Sequence, residues 1–433
     1  MTAAAIDALT AEIRTLHPAE IDMSLARIER LLAALGNPER RLPPVFHVAG
    51  TNGKGSTVAF LRACLEAAGL RVHVFTSPHL VNFNERIRVA GKLIADDALL
   101  ALFRDMLEVN AGQPLTIFEA TTVLAFLAFS RTPADACVLE VGMGGRLDAT
   151  NVVPDPAVCG IAQLGLDHTA FLGTTILQIA AEKAAIAKPG ANLVLSRYAQ
   201  AVTQRCAEVA GVAGARVVLR GADWEVARYG EAMHYRDASG RLELPLPRLL
   251  GAHQVDNAGL AIAMLRHQSR VAVPEAAIRA GIGWAEWPGR LQAIESGPLH
   301  AMLPPNARLT VDGAHNPASA RVLADALSLF AERPITLILG VVGTKSAPEI
   351  VRAFAGKVAR LYAVPVPGHE CHEPAHLATM ATEEGITAYP CGSVEEAFDR
   401  VAASPAYPPP HVVVAGSLYL VGDILRRSGL APQ

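Results

Sequence analysis

The amino-acid sequence predicts an α/β protein built on two mainly parallel sheets. Three observations lead there. Short, continuously apolar runs alternate with amphipathic stretches from Val45 onwards, which is how strands buried on both faces and their covering helices read. The pattern weakens between Gly211 and Leu250 and restarts after a breaker cluster, Trp287-Pro-Gly-Arg290. The chain has 433 residues, 51% of them hydrophobic and 5% aromatic, enough for two aliphatic cores.

Taken in order, Val45–Ala49 reads as a strand, Lys54–Ala68 as a helix and Val72–Phe75 as a second strand. Thr121–Phe129 is helical, Cys137–Val141 is a third strand, and Ala157–Ile161 and Leu193–Leu195 continue the series. The segments Arg216–Leu219, Trp224–Arg228 and Met233–Arg236, with a turn at Ser239–Gly240, are expected to form a small antiparallel subregion. A helix is expected over Asn257–Arg266. Beyond the breaker, strands are expected at Arg308–Asp312, Ile335–Val341, Leu361–Val364 and His411–Ala415, with helices at Ala318–Phe330 and Val394–Ala403. The division is placed at 1–295 and 296–433, the second domain being smaller and Rossmann-like. Ligands of such sheets bind outside the carboxyl ends of the strands, and a crevice between the domains is the expected active site.

The net charge of −3 and the absence of basic runs give no footprint for nucleic acid or an anionic membrane. Met1–Arg14 lacks the pattern of a secretory signal, and the apolar run Val123–Phe129 is too short to span a bilayer. A cytoplasmic protein is expected. The six cysteines form no CxxC pair, and Cys137 and Cys159 fall in strand-like runs where a reduced, buried thiol is the plain reading.

The segment Val45-Phe-His-Val-Ala-Gly-Thr-Asn-Gly-Lys-Gly-Ser-Thr57 carries the chemistry. A strand enters a glycine-rich turn, and a helix starts where the turn ends. Glycines let backbone N–H groups converge on an anion, and the helix N-terminus adds partial positive charge. Gly50, Thr51, Asn52, Gly53, Lys54, Gly55, Ser56 and Thr57 are therefore the expected phosphate cradle of a P-loop-type ATPase sheet, with Lys54 reaching the terminal phosphates. Gly55 stands where a Ser or Thr usually helps to hold Mg²⁺, so the metal must find other ligands.

These residues also carry a resemblance. His47-Val-Ala-Gly-Thr-Asn-Gly-Lys-Gly-Ser-Thr57 resembles the signature of the folylpolyglutamate and dihydrofolate synthases of the Mur ligase superfamily. Ser77-Pro-His-Leu-Val-Asn-Phe-Asn-Glu-Arg-Ile-Arg88 and Leu139-Glu-Val-Gly-Met-Gly-Gly-Arg-Leu-Asp-Ala-Thr-Asn151 resemble its second and third motifs. Asp167-His168, Glu182-Lys183, Pro288-Gly-Arg290, Asp312-Gly-Ala-His-Asn-Pro317 and Gly416-Ser-Leu-Tyr-Leu-Val-Gly422 follow in the family's order.

The resemblance implies an ATP-dependent ligase in which the γ-phosphate activates a carboxylate and the amine of L-glutamate attacks the acyl phosphate. It implies Mg²⁺, as two ions, with Ser77, Glu140 and His168 as ligands. Lys183 matches a lysine that these enzymes carboxylate on its side-chain nitrogen. Lys54, Lys183 and His168 form the implied catalytic set, while Asn257, Arg290, Asp312 and His315 match positions that contact ATP. Thr116, Phe118 and Asp148 map onto the dihydropteroate pocket of bifunctional members. The implied partners are ATP, L-glutamate, dihydropteroate and folates, and the implied state is a monomer.

Each residue also has a plainer reading. Ser77 alone is a Ser-Pro turn, Lys183 an exposed helix lysine, His168 a structural histidine, Phe118 a core residue, and Asp148 a cap on the turn that follows it. His253 is read as structural. The family's acidic run after the Gly340 strand is missing here, where Gly340-Val-Val-Gly-Thr-Lys-Ser346 keeps only Lys345. His369-Glu-Cys-His-Glu-Pro-Ala-His376 follows no familiar zinc spacing. Competing functions are polyglutamate extension alone, a Mur-type ligase acting on a peptidoglycan precursor, and an ATP-binding regulatory protein.

Overall fold

The computed structural model describes residues 2–17, 23–404 and 407–432. The chain forms two compact units. The first comprises Met1–His79, Phe83–Arg248 and Gln254–Glu286; the second comprises Leu80–Asn82, Leu249–His253 and Trp287–Gln433.

Eight strands build the large sheet of the first unit. They are β1 (Val45–Ala49), β2 (Val72–Phe75), β3 (Ile87–Val89), β4 (Lys92–Leu93), β5 (Ala136–Glu140), β6 (Val158–Ile161), β7 (Asn192–Leu195) and β8 (Arg216–Leu219). Their order across the sheet is β4-β3-β2-β5-β1-β6-β7-β8. Six run parallel and the β3–β4 ribbon is antiparallel. Every residue of β1, β2, β5 and β6 is buried, which is why these strands lack polar alternation: both faces are covered. On one face the helix Ile117–Arg131 packs Val123, Leu124 and Phe126 into a core shared with Ile28, Leu31 and Phe103.

The expected antiparallel subregion needs correction at its start. Arg216–Leu219 is a parallel edge strand of the large sheet, paired with β7. The antiparallel sheet is made instead by β9 (Trp224–Tyr229), β10 (Ala232–Asp237) and β11 (Gly240–Pro245), in the order β11-β10-β9. It is fixed to the helix His253–Arg266 by a buried fork. Arg266 Nε donates to Asp237 Oδ2 at 2.8 Å and its Nη2 to Oδ1 at 3.0 Å. Burial pushes the Asp237 carboxyl up, but the hydrogen bonds of Arg266, Ser239 N and Tyr235 and the Arg266 charge together outweigh it and hold the group below its usual range.

The second unit contains β12 (Gln292–Ala293), β13 (Arg308–Val311), β14 (Ile335–Leu339), β15 (Arg360–Ala363), β16 (Ala388–Pro390) and β17 (His411–Ala415), in the order β12-β13-β17-β14-β15-β16. All neighbours are parallel except β12 with β13. The helix Leu418–Arg427 buries Leu420, Val421, Ile424 and Leu425 against one face, and Leu80 and Val81 pack against that same core. Among the described residues no helix is long and apolar enough to cross a membrane.

Candidate active site

The glycine-rich turn joins β1 to the helix Lys54–Ala67 as expected. Gly53 has φ +82°, a left-handed conformation natural to glycine, and a Cβ there would strike the side chain of Asn257. Asn257 is thereby set against the turn, steadied by its Nδ2 donating to Gln254 Oε1 at 3.0 Å.

The amides of Thr51 and Asn52 are already engaged. Both donate to Gln163 O, at 2.8 and 3.1 Å, and the Thr51 hydroxyl donates to Gly165 O at 3.0 Å. The first part of the loop is a brace on the 163–165 segment. The helix-initiating N–H groups from Lys54 to Ser56 are ones an α-helix leaves without internal acceptors and can offer to an anion. Lys54 Nζ curls over the turn, donating to Gly50 O at 3.1 Å and Thr51 O at 3.3 Å.

Glu140 ends β5, level with Val48 on β1, and is only 5% exposed. Its Oε2 accepts from Ser77 N at 3.2 Å, so these two expected metal ligands are adjacent. A buried carboxylate beside a hydroxyl is a hard oxygen set that suits Mg²⁺. His168 has a left-handed backbone (φ 51°) at the start of the helix Thr169–Leu172, and its side chain is 45% exposed. Its ring lies 3.9 Å from Asp167 Oδ1. Among the described residues no three His, Cys, Asp or Glu side chains are grouped as a metal site; of the expected ligands, Ser77 and Glu140 are brought together.

Lys183 is not the exposed helix lysine of the plain reading. It is 4% exposed. Its pKa is lowered to about 7, first by burial and then by the charge of Lys54, against the opposing pull of Asp148, Asp167 and Glu182. These interactions place Lys183 within electrostatic reach of the cradle lysine, the Asp148 loop and the Asp167–His168 segment. The helix Ile176–Ala184 that carries it opens on a capping box, Thr175 with Gln178. The glycine-rich 142–145 loop lies against that helix: Arg146 N donates to Glu182 O at 2.8 Å.

Thr116 and Phe118 open the helix Ile117–Arg131. Thr116 Oγ1 accepts from Glu119 N at 3.1 Å and Glu119 Oε2 accepts from Thr116 N at 2.8 Å, a capping box that leaves the threonine O–H as a donor. Arg27 Nε holds the same glutamate at 3.1 and 3.2 Å. The Phe118 ring lies over Gly142, where a Cβ would overlap it, and is tilted at 47° to Phe75 with ring centroids 6.0 Å apart. Phe118 is partly buried rather than a closed core residue. Asp148 is 4% exposed and does cap the turn Ala149–Val152. Burial pushes its carboxyl up, opposed by hydrogen bonds from Thr150, Met143 and Gly142.

In the second unit Asp312 follows the last residue of β13. Its Oδ2 accepts from Leu291 N at 2.9 Å and its Oδ1 from Ala314 N at 2.8 Å. Burial raises its pKa, against the charges of Arg290 and His253, so His253 stands close to this group. His315 Nδ1 lies 2.8 Å from Gly313 O. A carbonyl only accepts, so Nδ1 carries a proton. Arg290, Asp312 and His315 therefore gather at the carboxyl end of β13.

The His369–His376 segment is dispersed. His372 Nε2 donates to Lys345 O at 2.9 Å, Cys371 Sγ accepts from Val366 N at 3.4 Å, and His369 stacks on Tyr419 at 3.7 Å. It braces the Gly340–Lys345 loop. Residue spacing gave no sign of Gln163 or Arg27 as supports, because each acts through contacts distant in sequence; Gln254 supports Asn257 from one turn away on the same helix.

A parallel sheet with a glycine cradle, a carboxylate and hydroxyl at adjacent strand ends, and a buried lysine nearby defines an ATP-handling ligase of the Mur class. The family model "Mur ligase middle domain" matches residues 48–265, and "Dihydrofolate synthetase, C-terminal domain" matches 299–427. The chain belongs to the dihydrofolate synthase/folylpolyglutamate synthase family.

A dihydrofolate synthase/folylpolyglutamate synthase of Escherichia coli (strain K12) is 34% identical over 424 residues, covering 96% of this chain and 95% of that one. A probable bifunctional folylpolyglutamate synthase/dihydropteroate synthase of Haloferax volcanii is 35% identical over 410 residues; the match covers 92% of this chain and 47% of that longer protein. Among solved structures, E. coli FolC in complex with DHPP and ADP superposes with a TM-score of 0.87 at 32% identity, covering 97% of this chain and 96% of that one. A bifunctional folylpolyglutamate synthase/dihydrofolate synthase with Mn, AMPPNP and L-glutamate bound gives 0.84 at 31%, covering 96% and 97%.

Proposed function

We propose that the protein uses ATP to join L-glutamate to dihydropteroate and to folate (poly)glutamates through an acyl phosphate. The observation that carries this is the close grouping of Lys54, buried Lys183 and the Ser77–Glu140 pair around one glycine cradle. The relatives named above, including a structure with DHPP and ADP and one with Mn, AMPPNP and L-glutamate, support the same substrates.

In this reading the N–H groups from Lys54 to Ser56 and the Lys54 ammonium hold the terminal phosphates and neutralise charge as the γ-phosphoryl moves to the substrate carboxylate. Ser77, Glu140 and His168 would hold Mg²⁺, as two ions, which supplies further charge neutralisation at the transferring phosphoryl. Asn257, Arg290, Asp312 and His315 take the nucleotide. The Arg290 guanidinium is suited to phosphate as a planar fork. Phe118 stacks on the pterin, with Thr116 and Asp148 bonding its polar edge. Residues 1–295 carry the ATP cradle and the folate site, and 296–433 the glutamate and nucleotide side.

Lys183 fits carboxylation. With its pKa near 7, much of the amine is neutral at physiological pH. The neutral nitrogen adds to the carbon of CO₂ and releases one proton, giving an N-carboxylate. A buried cation beside Lys54 thus becomes an anion.

The test is an acceptor screen with purified protein, ATP, Mg²⁺ and L-glutamate. Phosphate release is expected with dihydropteroate and with a reduced folate, and not with a UDP-muramyl acceptor. Release with the muramyl acceptor at equal rate, or with no folate at all, would refute the assignment. Turnover with the reduced folate alone would leave polyglutamate extension as the sole activity.

A further inference from the structure

His47 is 1% exposed, in the middle of β1, three residues before Gly50 of the cradle. The mechanism above gives it no task. Its Nε2 lies 2.8 Å from Thr150 Oγ1, and that hydroxyl donates to Asp148 Oδ1 at 2.6 Å. A threonine hydroxyl has one proton. Since Thr150 gives that proton to the carboxylate, His47 Nε2 must carry the proton of the other bond. The chain has one direction: His47 Nε2–H to Thr150 O–H to Asp148 Oδ1. The imidazole stays neutral across the working range, because burial and then the charge of Lys188 bring its pKa down to about 3.

The same carboxylate accepts from Thr150 N at 3.0 Å on Oδ1 and from Met143 N at 2.9 Å on Oδ2. Thr150 thus occupies both acceptor directions of Oδ1. Oδ2 faces the amides of the 142–143 loop, over which Phe118 lies, and Gly142 also acts on this carboxylate.

We infer that His47 is a positioning residue: acting through the Thr150 hydroxyl, it pins Asp148 so that Oδ2 is presented to the pterin edge of the carboxylate substrate. This deepens the folate reading and rests on it. Without the chain the carboxylate would lose its shortest hydrogen bond and be held by backbone amides alone, so the acceptor geometry that distinguishes a pterin would loosen while the phosphate cradle stayed intact.

The test uses the full-length enzyme. Thr150→Val keeps the size of the side chain and removes the hydroxyl. It is expected to raise the KM for dihydropteroate about tenfold, with kcat within about twofold and the KM for ATP unchanged. Thr150→Ser restores the wild-type value, and His47→Gln, which keeps a donor, lies nearer wild type than His47→Leu. A Thr150→Val enzyme with unaltered dihydropteroate KM, or Val and Ser variants that behave alike, overturns the inference.

Asp148→Asn separates the two levels. If it leaves the dihydropteroate KM unchanged, the pterin role of Asp148 fails and this inference with it. If it raises that KM while Thr150→Val does not, the relay alone fails. A measurement on the unaltered protein guards against a variant that does not fold. In ¹⁵N-histidine spectra, assigned with His47→Gln, the His47 proton is expected on Nε2, and an Nδ1–H tautomer would overturn the proposal.

Discussion

Gly142→Ala is a clean probe of the folate wall. Gly142 does not have a positive φ, so alanine brings no backbone strain and the perturbation is steric. The added Cβ would sit 2.6 Å from one Phe118 Cε and 2.9 Å from the other. Carbon atoms rest at about 3.5–4.0 Å, so the ring must retreat by about 1 Å. Phe75 and the helix Ile117–Arg131 stand behind it. Overpacking of this kind costs about 1–3 kcal/mol. If the ring is the pterin's stacking platform, its shift appears in substrate binding: the KM for dihydropteroate is expected to rise roughly 5- to 150-fold, with the KM for ATP unchanged. Initial rates at saturating ATP and glutamate, with dihydropteroate varied, measure this directly. A dihydropteroate KM equal to that of the parent, in a variant whose urea midpoint has fallen as overpacking requires, would show that the ring moves without consequence for the substrate and that Phe118 is not the platform.

Other perturbations address different parts of the molecule. Lys54→Ala should lower turnover by at least about 100-fold while leaving the circular dichroism spectrum intact; retained activity would remove the lysine from phosphate binding. Lys183, with its pKa near 7, should take up CO₂ only as the neutral amine. Activation by bicarbonate is expected to rise as pH passes upward through about 7 and then level off, and a profile flat across that range would argue against carboxylation. Arg266→Met strands Asp237, whose side chain is 1% exposed; urea unfolding should show a loss of about 3–5 kcal/mol, and a loss below about 1 kcal/mol would mean the fork is not the tie between β10 and its helix. Thr116→Ala removes one half of a capping box and should cost about 1 kcal/mol by the same measurement, with a larger effect on dihydropteroate KM than on ATP KM.

The long elements were legible because burial on both faces leaves a plain signature. Val45–Ala49, Val72–Phe75 and His411–Ala415 fall where their apolar runs place them. The β3–β4 ribbon, β12 and β16 were not seen, since strands of two or three residues carry no periodicity. Arg216–Leu219 was assigned to the wrong sheet: an edge strand alternates like an antiparallel one, and only its pairing with β7 reveals the difference. For the site, the cradle was readable as a local sequence because it is a local structure. The burial of Lys183 was not. Its neighbours in sequence, Glu182 and Ala184, say nothing of the 142–145 loop that covers it. The chain His47–Thr150–Asp148 was hidden for the same reason: its first bond spans 103 residues.

The composition of the second unit bears on how the chain reaches its native state. Leu80 and Val81 belong to a core whose other wall is the helix Leu418–Arg427. During synthesis they emerge early and their partners nearly last. Pairings so distant along a chain form late, because loop closure precedes any reward from contact. The short tract between Ser77 and Phe83 must therefore wait almost the whole length of translation for its apolar side chains to be covered. A ribosome that stops before residue 418 leaves Leu80 exposed, three residues from a proposed metal ligand.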